Sequence, residues 1–537
     1  MRNLLTATLL LTLGGCAADV SMVPTEDLPY TKVEPGKEDS SAEAVFLDFT
    51  FDGELVTDRR WNVEGQIEDQ LLYTIGQLNG SRGVSRLDQV ILTDVQTEAE
   101  GDNFKVTYTA TLPVAWGRRE NVPQEYTLQL PRDVSHAGLT RFAEAYGHEC
   151  VDYGAHDVTS GSMWYYFRPE RSGCELADTD VAPTVADVTM SEVNTTGRFP
   201  EYDMVWSDDA LRVVAVFGKY EDDATTASDA GIAAYNRFLD TMSRELEDHG
   251  ATTEPADLPS NPGVEVPEVT WTADLGDGRT VEVVAILVDN VRTAGRDFDD
   301  RYGELSSNAD LIVYNGHAGL GANIRALANK GRWVQGQYSI IFMNGCDTYA
   351  YVDSALWDAH AAVNPDDEAG TRYADIVMNA LPSYFRSMPR ATMALIRGLL
   401  SYDEPLTYEQ MFANVDSSQV VIVSGEQDNT FTPGGGGDPV PAWEGLAESG
   451  ALDAGEEARF ETPVLPAGRY TFTTTGGGDA DLYVRIGSAP TTASYDCRPY
   501  RSDSNETCEV ELAADAPLHI MVRGYTPSDF SLMGSQL

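Results

Sequence analysis

The chain has 537 residues, and 86 acidic side chains against 36 basic ones give it a formal charge of −50 at pH 7. A surface of that sign repels phosphate backbones, so nucleic acid is excluded as an expected partner. With 42% apolar residues the chain can bury real cores, which excludes global disorder, and at this length the cores divide among several domains.

Arg2 is followed by LLTATLLLTL over residues 4–13, an apolar stretch too short to span a bilayer. It ends in Leu13-Gly14-Gly15-Cys16, which resembles the lipobox of bacterial lipoproteins. The resemblance implies a signal peptide over 1–15, lipid on Cys16, and a place in the bacterial cell envelope, facing the periplasm or the surface. Residues 16–42 are polar and contain proline, as a flexible tether should. No other run approaches 18 apolar residues, so lipid is the expected membrane anchor. Export makes disulfides expected. Cys150 and Cys174 lie close in one segment and Cys497 and Cys508 in another, and each pair is expected to bond. With Cys16 assigned to lipid, Cys346 is expected to stand without a partner.

Residues 43–180 mix strand and helix patterns. FKVTYTATL (104–112) and EYTLQL (125–130) alternate with period two, as half-buried strands do. Ile67, Leu71, Ile75 and Leu78 recur at helical spacing, and Ser135 is placed to cap a second helix. MWYYF (163–167) reads as an aromatic strand clamped by Cys150–Cys174. The segment is expected to be an α+β domain, and its residues do not disclose its role.

Residues 207–430 change character. LRVVAVFG, VEVVAILVDN, LIVYNG and YSIIFMNG are apolar on both faces and separated by helical stretches, a pattern that predicts an α/β domain with a mainly parallel sheet covered on both sides. In such sheets the working residues gather beyond the carboxyl ends of the strands. His317 follows Asn315-Gly316 there, and Cys346 follows Asn344-Gly345. Singly, each has a plain reading, as a hydrogen-bonded histidine or a small buried hydrophobe. Together, in matching contexts, they read as a catalytic dyad. An imidazole beside a thiol raises the thiolate fraction and later protonates the leaving group.

The two blocks resemble the catalytic signature of caspase-like cysteine peptidases, most closely the gingipain type. The resemblance implies His317 as general acid/base, Cys346 as nucleophile, a protein or peptide substrate and no cofactor. Backbone amides of Ala318, Gly319 and Cys346 are the candidates for an oxyanion hole. Relatives have glycine directly after the histidine, whereas this chain has Ala318 and only then Gly319. The loop after the first strand often sets specificity in this group. Here Glu221, Asp222 or Asp223 would favour a basic substrate residue, and Lys219 an acidic one. Because many relatives are made as inactive precursors, the 43–180 domain is a candidate prosegment. A lipoprotein that keeps this scaffold without catalysis is the competing expectation.

Two further constellations are weaker. His148, Asp152, His156 and Asp157 cluster near Cys150, but their spacing matches no common zinc pattern. Ser424 in VIVSGEQ lacks a nucleophile-elbow pattern. Residues 431–442 form a Gly/Pro linker, and from 443 to 537 short strands alternate with turns. With GGGDADLYVRIG (476–487), this stretch resembles the bacterial pre-peptidase C-terminal domain, which implies an all-β sandwich. Asp479 and Asp481 are oxygen donors of the kind calcium takes, but a plain role as turn residues is the favoured reading.

Overall fold

The computed structural model describes residues 38–537 apart from 120, 156–157, 434–444, 466–467, 493, 513–515 and 537. The signal peptide, Cys16, most of the tether and most of the 431–442 linker therefore lie outside the described residues. The chain divides into two compact units at Pro433.

The first unit is organised by a nine-stranded sheet. Its middle strands, in spatial order Ala374–Asn379, Ser339–Asn344, Leu311–Asn315, Ala210–Gly218 and Arg279–Val288, run parallel. Antiparallel strands close both edges: Val421–Ser424 and Asp39–Ser40 on one side, Glu268–Gly276 and Thr252–Glu254 on the other. Successive residues of a strand point to opposite faces, and both faces here are apolar. Val214, Val216, Ile312 and Tyr314 pack in one cluster with residues of the helices Arg296–Ser306 and Ala322–Lys330. Val213, Ala215, Phe217 and Val313 pack in the other with Ala230–Glu245 and Met388–Leu400.

The first domain is an antiparallel sheet of six strands, in which Val45–Thr57 pairs with Asn103–Trp116 and with Val181–Met190. It therefore runs on to Met190 rather than stopping at 180. The helix Val63–Gly80 buries Ile67, Leu71, Ile75 and Leu78 as their spacing requires, and the Ser135 side chain accepts from Gly138 N at the start of His136–Tyr146. Residues 163–167 are not a strand. Met163–Tyr166 is a single helical turn, and Met163, Trp164, Tyr165, Tyr166 and Phe167 are all buried. A strand would have sent alternate rings to opposite faces, whereas the turn gathers them into one core.

One hydrophobic cluster runs from this first domain into one face of the large sheet, so the two share a core. Polar contacts tie them as well. Asp39, on the sheet edge, accepts from the Tyr349 hydroxyl at 2.7 Å and lies 3.8 Å from the guanidinium of Arg86. Arg86 is fully buried, pairs with Asp88 at 3.2 Å and stands 5.0 Å over the Tyr349 ring. A buried cation losing these partners would be strongly destabilising. The first domain is thus built into the sheet domain.

The second unit, described by itself, holds a four-stranded and a three-stranded antiparallel sheet. Tyr470, Phe472, Leu482, Ile520 and Leu532 fill its core. This is the expected all-β module.

Several buried carboxyls of the first unit carry raised pKa values, chiefly because burial penalises their charge: Asp310 and Asp347 are pushed to about 7, Asp88 and Asp375 to about 6. Above the ordinary carboxylate range near pH 4, the unfolded chain releases protons that the folded chain still holds. Stability is therefore greatest at the low end of that window and is lost as pH rises through about 6 to 7. The unfolding midpoint of this unit is expected to be roughly 3 °C or more higher at pH 5.5 than at pH 8, read by circular dichroism. A midpoint that rises with pH would contradict it.

Candidate active site

Three neighbouring parallel strands, LIVYN, SIIFMN and ADIVMN, all end in asparagine. The amides form a buried ladder. Asn344 Nδ2 donates to Asn315 Oδ1 at 2.8 Å, Asn379 Nδ2 donates to Asn344 Oδ1 at 3.1 Å, and Gln419 Nε2 donates to Asn344 Oδ1 at 2.7 Å. Asn379 Nδ2 also donates to Gly345 O at 3.0 Å. The strand ends are held in register, and so are the loops that leave them.

The glycines that follow are required by close approach. A Cβ on Gly316 would fall 2.6 Å from the Tyr314 hydroxyl, and one on Gly345 would fall 2.9 Å from Gly316 O and 3.2 Å from Ala318 N. The two turns therefore meet backbone to backbone, which brings His317 and Cys346 onto one narrow cleft. That cleft is lined by Tyr165, His317, Ala318, Gly319, Leu320, Cys346 and Tyr351.

His317 is held from several sides. Its carbonyl accepts from Tyr314 Oη at 2.9 Å and Asn323 Nδ2 at 2.7 Å. Its ring packs against those of Tyr220 and Phe385, at centroid distances of 5.2 Å and 5.3 Å. Its Nε2 lies 3.1 Å from Tyr220 O. A carbonyl oxygen only accepts, so Nε2 carries the proton and Nδ1 is the basic nitrogen of the neutral ring. The Tyr220 loop is fixed in turn by Asp229, whose carboxylate accepts from the amides of Tyr220, Glu221 and Ile232.

Cys346 is 4% exposed, and its Sγ lies 3.3 Å from Ser383 O. The expectation that it stands without a partner is corrected: Cys346 is disulfide-bonded, and no cysteine among the described residues is free. Cys150–Cys174 and Cys497–Cys508 are both formed.

Ala318 has φ −67° and ψ −27°, an ordinary right-handed conformation, while Gly319 takes φ +57°. The left-handed positions thus fall on Gly319 and on Leu320, at φ +51°, and alanine directly after the histidine is unstrained. Both residues line the cleft beside Cys346. The loop candidates for specificity lie elsewhere. Lys219 pairs with Asp289 at 2.6 Å, and Glu221, Asp222 and Asp223 are exposed, none of them lining the cleft. Ser424 is buried in its strand and is not among the lining residues either.

His148 is exposed beside Glu149, Asp152 lies 3.6 Å from Arg168, and His156 and Asp157 fall outside the described residues. Asp481 accepts from Arg498 at 3.0 Å and Tyr483 at 3.3 Å, which commits it to an ion pair, and Asp479 is half-buried in its turn. Among the described residues no group of three or more His, Cys, Asp and Glu side chains is placed to hold a metal. No described helix is long and apolar enough to cross a membrane.

Residues 465–524 match the family model of the bacterial pre-peptidase C-terminal domain, and that domain is present here. Alkaline serine exoprotease A of Vibrio alginolyticus is 39% identical over 99 residues, 17% of this chain and 18% of that protein. A zinc metalloprotease of Helicobacter pylori is 48% identical over 68 residues, 11% of this chain and 27% of that protein. The chain thus spans about a fifth to a quarter of the length of these relatives. The two relatives are named for different catalytic types, a serine exoprotease and a zinc metalloprotease. Among solved structures, the Arg-specific cysteine proteinase gingipain R aligns with 62% of this chain and 68% of its own at 12% identity and a TM-score of 0.23, a level that carries no functional argument. The chain therefore carries a pre-peptidase C-terminal domain beside a separate α/β unit with its own cleft.

Replacing Asn344 by leucine removes the middle of the amide ladder and leaves buried donors of Asn379 and Gln419 short of an acceptor. It is expected to cost about 2–4 kcal/mol in denaturant unfolding. A loss below about 0.5 kcal/mol would show that the ladder does not hold the strand ends.

Proposed function

We propose that the protein is an exported cysteine endopeptidase of caspase-like type, with His317 and Cys346 as its dyad, latent while Cys346 is held in its disulfide. One observation carries the reading: both residues line a single cleft at the carboxyl ends of neighbouring parallel strands. The pre-peptidase C-terminal domain and the similarity to proteases support the peptidase class.

Once a thiol reductant has opened the disulfide, Cys346 holds a thiol. His317 Nδ1 takes its proton while Nε2–H stays on Tyr220 O, which orients the ring and stabilises the imidazolium. The thiolate attacks the substrate carbonyl, and the oxyanion forms beside the Ala318, Gly319 and Cys346 amides. The imidazolium gives its proton to the departing amine as the peptide bond breaks, leaving a thioester that water hydrolyses. In this reading the acidic surface faces the envelope. The peptide or protein substrate is the expected partner.

A second reading is favoured by the disulfide itself and by the 4% exposure of Cys346. In it the protein is a non-catalytic surface protein, and the sheet domain is a scaffold.

A peptide library digested in graded dithiothreitol separates the two. The wild-type protein is expected to cleave only after reduction, and Cys346→Ala and His317→Ala are each expected to lose about a thousandfold or more. Cleavage that survives Cys346→Ala would assign the activity elsewhere. No cleavage by the reduced wild-type protein would favour the scaffold.

A further inference from the structure

The cleft beside Cys346 is not made by the sheet domain alone. Tyr165 comes from the first domain and lines it together with His317 and Tyr351. Tyr165 is 4% exposed, so its ring is packed into place.

The turn that carries it is rigid. A Cβ on Gly76 would fall 2.2 Å from Trp164 O, so the helix Val63–Gly80 lies directly against that backbone. Arg168 Nη1 donates to the carbonyls of Gly76, Tyr165 and Phe167. Trp164 and Tyr166 stand edge-on to the Tyr165 ring at 6.0 Å and 5.0 Å. The Cys150–Cys174 disulfide closes the segment around the turn. A ring with so many fixed neighbours does not swing aside for a bulky guest.

The other described walls are Ala318, Gly319, Leu320 and Tyr351, with the imidazole and the sulfur between them. No carboxylate or ammonium is among them. Asp347, a buried neighbour of Tyr165, is not a lining residue. Nor are Lys219, Glu221, Asp222 and Asp223. Such a site has nothing to neutralise a charged guest and little depth for a long one.

We infer that Tyr165 of the first domain sets the primary specificity of this cleft and restricts the substrate residue seated against Cys346 to a small uncharged one: glycine, alanine or serine. The inference rests on the peptidase reading and deepens it. It also makes the first domain a permanent part of the site, in place of the removable prosegment that its position in the chain suggests. The buried Arg86, Asp39 and Tyr349 contacts agree with that, because excision would strip partners from inside a shared core.

The test is a digestion of a peptide library by the reduced full chain, with the residues on both sides of each cut read by mass spectrometry. The wild-type protein is expected to cut beside glycine, alanine or serine. Tyr165→Ala is expected to raise cleavage beside leucine, methionine or phenylalanine at least tenfold relative to alanine, the scale on which hydrophobic pockets discriminate by size. Tyr165→Phe keeps the ring and is expected to keep the wild-type profile. Should Tyr165→Ala fail to fold, Tyr165→Val opens the same space with an apolar side chain and is read in the same way.

A wild-type preference for arginine, lysine or aspartate beside the cut would overturn the inference while leaving the peptidase reading intact. So would an unchanged profile in Tyr165→Ala. No cleavage by any reduced form would overturn the peptidase reading and this inference with it.

Discussion

The site depends on a row of buried amides. Asn315, Asn344, Asn379 and Gln419 join the carboxyl ends of adjacent strands by side-chain hydrogen bonds, in a region where water is excluded. Each of these side chains makes at least one buried hydrogen bond, and together they favour one arrangement of the strand ends. That arrangement sets Gly316 against Gly345, and the approach of those two turns brings an imidazole and a sulfur onto the same cleft. A side chain at Gly345 would force the two turns apart, and one at Gly316 would displace the Tyr314 hydroxyl. The ladder is the structural reason for the Asn-Gly pairs that precede His317 and Cys346.

A second constraint joins the two halves of the first unit. Asp39 lies on an edge strand of the large sheet, Arg86 in the first domain, and Tyr349 three residues after Cys346. The contacts link the residues behind the candidate nucleophile to a domain far away in sequence. Tyr165 arrives through the same association. The cleft is therefore a joint product of both domains, and its electrostatics are apolar although the chain as a whole is strongly acidic.

Much of the sheet domain was legible because continuous apolar strands separated by helical stretches have few other ways to pack. The strand ends named the cleft, and the paired Asn-Gly contexts pointed to His317 and Cys346 together. Three features were hidden. The run MWYYF has the composition of a strand, but a turn gathers its rings into one core, and burial is a property of neighbours supplied by the helix at Gly76. The Tyr220 carbonyl that orients His317 is a backbone atom with no side-chain signature, although its loop was marked as important. Tyr165 could not be connected with Cys346 because their contact spans two domains. The pairing state of Cys346 was misread for a different reason: elimination works only when every other assignment is correct. The repeated terminal asparagines in LIVYN, SIIFMN and ADIVMN were the one readable mark of the ladder, and it shows only when three strands are laid side by side.

The chemistry proposed for the cleft requires that His317 activate Cys346 once the sulfur is a thiol. The most direct test is the rate at which iodoacetamide alkylates Cys346 in the reduced protein near pH 7, followed by peptide mass spectrometry and compared with His317→Ala. The account predicts labelling at least about tenfold faster than that of an ordinary cysteine, falling to the ordinary rate or below in the variant. Equal rates in the two proteins, or a wild-type rate slower than that of ordinary cysteine, would contradict it.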